Sequence, residues 1–342
     1  MVFIRADANE IIGTGHVMRC ISIANGFRDA GEKVLFITAD HRGDELIRNA
    51  GFYSRCIESQ WDDMESEIPI MKELLESEPP KHLIVDSYYV TKDYLKSVTS
   101  HTRTVYMDDM NAQVWDVDYL INYNIYADSM DYSAYYGLNA RLMLGPKYAP
   151  LRKEFHSLGS HTINRDIRNI LVSAGGADPE GLSVQIAREI CPKYSDMRFH
   201  FVVGALNPRM SEIKKLERDN IILHINERNM AKLMQDCDIA ISAAGTTLYE
   251  LCASGIPTIT YTLADNQLVA AEQFGKRGIM VNAGDCRNNN EFMTSLQRCL
   301  DDLVCNKERR NKMSKKMTSL VDGNGAMNIV KVLMEDAGNN AN

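Results

Sequence analysis

Apolar and polar positions along the chain follow two alternating rhythms. Short unbroken apolar runs, Val2-Phe3-Ile4, Val34-Leu35-Phe36-Ile37, Leu83-Ile84-Val85 and Thr104 to Met107, have the length and composition of buried strands. Between the first two, apolar residues recur at intervals of three and four, at Val17, Cys20, Ile21, Ala24 and Phe27, which is the stripe of an amphipathic helix. The alternation continues through Tyr119-Leu120-Ile121 and Arg141 to Leu144, stops, and restarts at Asn169. A second series follows: Asn169 to Ser173, Phe199 to Val203, Asn220 to Ile225, Asp238 to Ser242 and the run led by Pro257. Helical stretches separate these runs at 182–189, at 230–237 and after Gly245. Strands that alternate with helices predict parallel sheets covered on both faces, so the fold class is α/β.

The interruption divides the chain. Gly145-Pro-Lys-Tyr-Ala-Pro150 breaks the pattern twice with proline, and the stretch after it is polar and poor in strand formers. We therefore expect a Rossmann-like domain over 1–145, a connection over 146–166, a second Rossmann-like domain over 167–322, and a terminal helix and tail over 323–342. A chain of 342 residues is long for a single hydrophobic core, which agrees with two domains. The net charge of −8 argues against a general nucleic-acid binder, because phosphate neutralisation needs clustered Lys and Arg. None of the eight cysteines forms a Cys-x-x-Cys pair, so reduced buried thiols are expected rather than disulfides or a zinc site. With no cationic leader and no apolar run of membrane-spanning length, the expectation is a cytoplasmic protein without stable membrane association. Trp61 to Glu76 is acidic and helix-prone, and Asp62, Asp63, Glu65 and Glu67 are expected on a solvated face.

Candidate chemistry sits where strands give way to helices. Arg5-Ala-Asp-Ala-Asn-Glu-Ile-Ile-Gly-Thr-Gly-His16-Val-Met-Arg19 carries a strand into a helix over Gly13-Thr14-Gly15, with His16 on the first turn. In open α/β sheets such a loop lies at the carboxyl ends of the strands, where ligands bind. The glycines serve either the turn or an anion, and His16 is either incidental or directed at a ligand. Asp86 ends another strand, and Tyr88 beyond it either packs or offers its hydroxyl to a substrate. Asp108-Asp109 either cap the next segment or support metal or acid chemistry. The aromatic-rich Asn122 to Tyr136 reads as a long rim loop, a kind of loop that is often functional.

In the second half, Gly175-Gly176 and Gly245-Thr246-Thr247 each stand between a strand and a helix, where backbone amides can approach an anion. Neither is a Walker loop or a dinucleotide fingerprint. Glu250 either closes a capping box with Thr247 or accepts from the hydroxyls of a ribose. Asp265, Asn266 and Gln267 follow the next strand on the same rim.

These stretches carry a resemblance. Ser242-Ala-Ala-Gly-Thr-Thr-Leu-Tyr-Glu250, with Gly255-Ile-Pro257 and Asn266-Gln267, is similar to the nucleotide-sugar half of MurG-type glycosyltransferases. The Arg5 to Arg19 stretch, Val85-Asp-Ser-Tyr88, Gly145 to Phe155, Gly175-Gly-Ala-Asp178 and the Glu250 region together resemble the UDP-2,4-diacetamido-2,4,6-trideoxy-β-L-altropyranose hydrolases of pseudaminic acid biosynthesis. The resemblance runs from residue 1 to about 320.

It implies a GT-B-type fold, two Rossmann-like parallel-sheet domains facing across a cleft. It also implies metal-independent, inverting hydrolysis of a UDP-sugar at the anomeric carbon, with no cofactor. Within it His16 is the general base for the attacking water, Tyr88 an active-site tyrosine and Asn266 the asparagine near that water. Arg152 and Glu250 bind substrate, and Gly175, Gly176, Gly245, Thr246, Thr247 and Gln267 complete the nucleotide-sugar site. Ser87 stands where some members of the family carry histidine. A GT-B glycosyltransferase, or a non-catalytic UDP-sugar-binding module of polysaccharide or flagellin-glycan assembly, shares the same motifs.

Overall fold

Strand β1, Val2–Ala6, is wholly buried and pairs in parallel with a strand on either side. It leads into helix α1, Gly15–Asp29, whose buried face carries the predicted stripe. The first sheet continues with β2 Val34–Thr38, α2 Asp44–Asn49, β3 Tyr53–Cys56, α3 Ile68–Ser77, β4 His82–Asp86, α4 Lys92–Thr99, β5 Thr104–Met107, β6 Tyr119–Asn122 and β7 Arg141–Leu144. Its strand order is β3-β2-β1-β4-β5-β6-β7, all parallel. The computed structural model describes residues 1–135, 138–175, 178–204, 207–287 and 289–339.

A second parallel sheet is built from β8 Asn169–Ser173, α5 Leu182–Glu189, β9 Arg198–Val203, α6 Met210–Lys214, β10 Ile221–Ile225, α7 Met230–Asp236, β11 Ile239–Ala243, α8 Thr247–Ser254, β12 Thr258–Thr262, α9 Leu268–Lys276 and β13 Val281–Asp285. Its order is β10-β9-β8-β11-β12-β13. Helices α10 Phe292–Cys305 and α11 Lys307–Leu320 follow, then α12 Gly325–Asn339. The fold is GT-B-type: two Rossmann-like α/β domains, each built on one parallel sheet.

By contacts the chain separates into two units, Met1–Lys153 with Gly323–Asn342, and Glu154–Asp322. The expected connection over 146–166 is thus shared between the units at Lys153 and Glu154, and the terminal helix returns to the first unit. Asn328 Nδ2 of α12 donates to the Lys147 carbonyl at 2.8 Å, and a Cβ on Gly325 would lie 2.0 Å from the Ala149 carbonyl oxygen. Each unit has its own core. Phe3, Leu83, Val85, Tyr94 and Leu120 belong to the first, and Ile170, Phe199, Ile241, Tyr261 and Leu296 to the second.

In each sheet the chain runs outward in both directions from one central pair of strands, β1/β4 in the first and β8/β11 in the second. Loops leaving such a pair diverge and open a crevice at the carboxyl edge. In the first sheet the register sets Ala6 opposite Asp86, so the loop after β1 and the end of β4 emerge side by side. In the second, Ser173 lies opposite Ser242, which does the same for the loops before α5 and α8.

The Asn122 to Tyr136 segment differs in part from the rim loop expected. Tyr132 and Tyr135 are core residues, with their hydroxyls bonded to Asn122 Nδ2 and the Trp115 backbone N–H, each at 2.9 Å. Glu67 corrects another expectation. It is fully buried, not solvated, and its carboxylate takes two hydrogen bonds from Arg5 and one from Ser59 Oγ at 2.9 Å. Asp62, Asp63 and Glu65 are exposed as expected.

Candidate active site

His16 lies on the first turn of α1, over the carboxyl end of β4. Its Nδ1 is 2.7 Å from Asp86 Oδ1, and both side chains are buried. Arg19, one turn further along α1, donates from Nε to Asp86 Oδ2 at 2.5 Å and from Nη2 to Asp86 Oδ1. Burial opposes the Asp86 charge, but Arg19 and then His16 outweigh it, so the carboxyl is held well below the usual aspartate range. An ionised Asp86 can only accept, so His16 Nδ1 carries the proton of that contact, and in the neutral ring the lone pair is the one on Nε2. Arg19 Nη2, 3.1 Å from Nδ1, is then a neighbouring charge rather than a donor to it.

The pair opens on a small pocket lined by His16, Asp86, Asp7, Ile12, Ser87, Tyr88 and Tyr89. The Tyr88 ring meets the His16 ring edge-on at 4.7 Å, and its hydroxyl donates to Asp109 Oδ2 at 3.1 Å. Partial burial and the Asp109 charge both raise the Tyr88 pKa, so the phenol remains a donor. The sequence-predicted His16 and Tyr88 therefore meet in one pocket.

Of the neighbours of this pocket, Asp7, Arg19 and Tyr123 were not singled out from sequence, whereas the Asp108-Asp109 pair was. Asp7 is tied by the Ala39 N–H to Oδ1 at 2.8 Å and by Arg5 Nη1 to Oδ2 at 2.5 Å, at the end of the buried Arg5–Glu67 pair. Arg19 Nη1 also donates to the Tyr123 hydroxyl at 2.9 Å and lies 3.7 Å from Asp109. Asp108 is structural. It accepts from the N–H groups of Met110 and Asn111 and from Trp115 Nε1, and so shapes the turn after β5. Among the described residues no group of three His, Cys, Asp or Glu is placed to hold a metal ion.

The second unit presents its own rim. Gly175 follows β8 with a φ of 78°, and Gly176 lies outside the described residues. The helix beyond this loop is closed: the Asp178 carboxylate accepts from Leu182 N–H at 2.8 Å and Ser183 N–H at 3.0 Å, occupying the first turn of α5. Helix α8 differs. Thr246 flanks it without a side-chain cap, and Thr247 is its first residue, inside the helix rather than at the cap position of the expected box. The Gly245 N–H bonds the Ala243 carbonyl at 2.9 Å, and the Leu248 and Tyr249 N–H groups turn back to the Gly245 and Thr246 carbonyls at 3.1 Å each. The Thr246 and Thr247 amides, which have no acceptor within the helix, are thus the open helix start of this rim. Glu250 is half-buried on the first turn of α8.

Asn266 is exposed on a 3-10 turn, Asp265–Gln267, beyond β12. Gln267 is a latch for that turn, accepting from the Leu263 N–H at 3.0 Å. Arg287 braces it from β13, with Nη2 2.8 Å from both Asp265 Oδ1 and Asp285 Oδ2. Arg152 belongs to the first unit and is half-buried. All eight cysteines are free, and among the described residues no helix is long and apolar enough to cross a membrane.

Comparison with known proteins agrees with this layout. Residues 175–332 match the family model "Glycosyltransferase family 28 C-terminal domain". The UDP-2,4-diacetamido-2,4,6-trideoxy-beta-L-altropyranose hydrolase of Campylobacter jejuni is 27% identical over 288 residues, covering 82% of this chain and 98% of that protein. The spore coat polysaccharide biosynthesis protein SpsG of Bacillus subtilis is 26% identical over 355 residues, covering 98% of each. A protein of Methanocaldococcus jannaschii is 27% identical over 282 residues, covering 78% of this chain. The chain spans 56% of that archaeal protein's length. Among solved structures, MurG of Acinetobacter baumannii superposes with a TM-score of 0.70 at 12% identity, covering 98% of this chain and 99% of that one.

Proposed function

We propose that this chain hydrolyses a UDP-linked 2,4-diacetamido-2,4,6-trideoxy sugar at its anomeric carbon, releasing UDP and the free sugar for pseudaminic-acid-type synthesis. The observation that carries the reading is the His16–Asp86 pair on the pocket. A carboxylate that fixes the Nδ1–H tautomer leaves Nε2 as the acceptor for a water proton. Water attacks the anomeric carbon from the face opposite the diphosphate, its proton passes to His16 Nε2, and the C–O bond electrons leave with UDP. Configuration at that carbon inverts.

The leaving diphosphate gains negative charge, and the start of α8 at Gly245-Thr246-Thr247 meets it with the Thr246 and Thr247 amides and the helix dipole. Glu250, on the same first turn, accepts from the ribose hydroxyls, and Gln267 holds the turn that presents Asn266. Tyr88, whose O–H is donated to Asp109, offers its oxygen as an acceptor that orients a sugar N–H or O–H beside His16. The similarity to the Campylobacter hydrolase over most of both chains supports the choice of sugar.

UDP release from the cognate sugar nucleotide, assayed without added metal, tests the reading. His16→Asn is expected to lower kcat by about 10²–10⁴-fold, the range a general base supplies, while UDP affinity is retained. Reaction in ¹⁸O-labelled water is expected to label the sugar. Label in UDP, or full activity of His16→Asn, would exclude the mechanism. The family 28 match favours one second reading, a glycosyltransferase in which His16 deprotonates an acceptor hydroxyl. UDP release that depends strictly on an added acceptor would select it.

A further inference from the structure

A histidine base held by a buried carboxylate faces a conflict. The carboxylate orients the ring, but its charge also favours the imidazolium, which cannot accept a proton. In this chain a third group sits within the pair. Arg19 contacts both oxygens of Asp86 and places Nη2 3.1 Å from His16 Nδ1. Its side chain is nine-tenths buried, so bulk water screens these charges weakly. Arg19 is not among the residues lining the pocket.

We infer that Arg19 sets the charge of the His16–Asp86 pair: by neutralising Asp86 and repelling an imidazolium, it lets the carboxylate orient the ring while His16 stays free to accept a proton. Arg19 is thus a positioning residue acting through Asp86 and His16, and the inference rests on His16 being the base. The groups facing His16 from the packed elements are consistent with this sum. Asp86 and Tyr88 approach from β4 and the turn after it, Asp7 from the end of β1, and Arg19 from α1 itself. Asp7 is already offset by Arg5, which leaves Asp86 as the negative charge in direct contact with the ring. The outer contacts of Arg19, Tyr123 and Asp109, hold its guanidinium in place. The low protonation range of Asp86 agrees, since the carboxylate persists wherever the enzyme would work.

The test compares the acid limb of the pH–rate profile in three full-length variants. Arg19→Met is expected to move that limb up by about one pH unit or more, the size of shift an uncompensated neighbouring charge produces. Below the displaced limb it lowers kcat about tenfold, with KM little changed. Asp86→Asn moves the limb the opposite way, because Arg19 is then unbalanced. Arg19→Lys retains the charge and returns the limb near its original position, while kcat stays reduced by loss of the guanidinium fork. A structural role alone gives no opposed shifts.

The same protonation step is read without turnover, by NMR titration of histidine labelled at ¹³Cε1, with His16→Asn identifying the His16 resonance. Matching limb positions in Arg19→Met and wild type, or an Arg19→Lys limb displaced as far as that of Arg19→Met, overturns the inference. If Arg19→Met does not fold, a downward limb shift in Asp86→Asn beside an unshifted limb in Arg19→Lys upholds the inference, and an unshifted limb in Asp86→Asn overturns it. Full activity of His16→Asn instead removes the base reading, and the titration still reports whether Arg19 governs the ring.

Discussion

Buried charge is concentrated in the first unit, and its two clusters have different consequences for stability. Glu67 balances Arg5 where no water reaches either, so losing the carboxylate leaves the guanidinium paired with Asp7 alone among the described ion pairs. Glu67→Gln is expected to cost about 3 kcal/mol, as breaking a buried pair does. Asp62→Asn, on the exposed part of the same acidic stretch, changes stability by less than about 0.5 kcal/mol. Urea denaturation of both variants checks the contrast, and equal effects would mean that the Arg5 cluster adds nothing. Asp86 gives the pH dependence. Its pKa is lower folded than unfolded, so the unfolded chain takes up its proton first as pH falls. Its contribution is therefore complete above an ordinary aspartate value near ~4 and is lost progressively below it. Unfolding free energy measured from pH 7 to pH 3 should fall less steeply in Asp86→Asn than in wild type. Both clusters were hard to read from sequence, because Glu67 lies 62 residues from Arg5 and Asp86 lies 70 from His16. Only strand register brings them together.

At the scale of elements, strand periodicity was informative where strands are buried and uninformative at one edge of each sheet. β1, β4 and β11 are fully buried, and each stands out as an apolar run. The two strands with no such run, β3 and β13, each form one edge of their sheet, half-exposed and free to carry Tyr53, Arg55 and Asn282, while β7 and β10 at the opposite edges keep apolar positions that mark them. Helix starts followed a similar rule. Gly175-Gly176 and Gly245-Thr246-Thr247 look alike as glycine turns, and only the fold reveals that Asp178 fills the first of the two helix starts. A helix start already holding a carboxylate is a poor site for diphosphate, which leaves α8 as the better anchor. Thr247→Glu, placing negative charge on the first turn of α8, is expected to weaken UDP binding more than tenfold by calorimetric titration. Asp178→Ala should instead lower thermal stability, by about 1 kcal/mol for a lost cap, with UDP affinity nearly intact. The opposite pattern would move the nucleotide site to α5.

For the whole molecule, the chain leaves the first unit at Lys153, builds the second, and returns at Gly323. The returning helix α12 packs against α1, with Ala326, Ile329, Val330 and Leu333 buried. Approach is close enough that a Cβ on Gly26 would lie 3.0 Å from Val330 Cγ2. The helix that carries His16 is thus held by the last segment of the sequence, on contacts separated by some three hundred residues. Proline breaks and strand runs in the sequence reported the boundary near 150, but an amphipathic helix after Gly325 carries no mark of the surface it will cover. Val330→Asp separates the contributions of the two units. A carboxylate buried against Gly26 costs on the order of 4 kcal/mol, and that cost falls on the first unit. UDP, on the proposed function, binds the second. Calorimetry of the full-length variant should therefore show an early transition that UDP does not shift and a later one that it does, since a ligand stabilises only the fold that binds it. Sugar-nucleotide hydrolysis should be lost as the first transition is crossed, while UDP affinity below it matches wild type. A single transition moved by UDP as a whole would mean instead that α12 joins the two units into one cooperative structure.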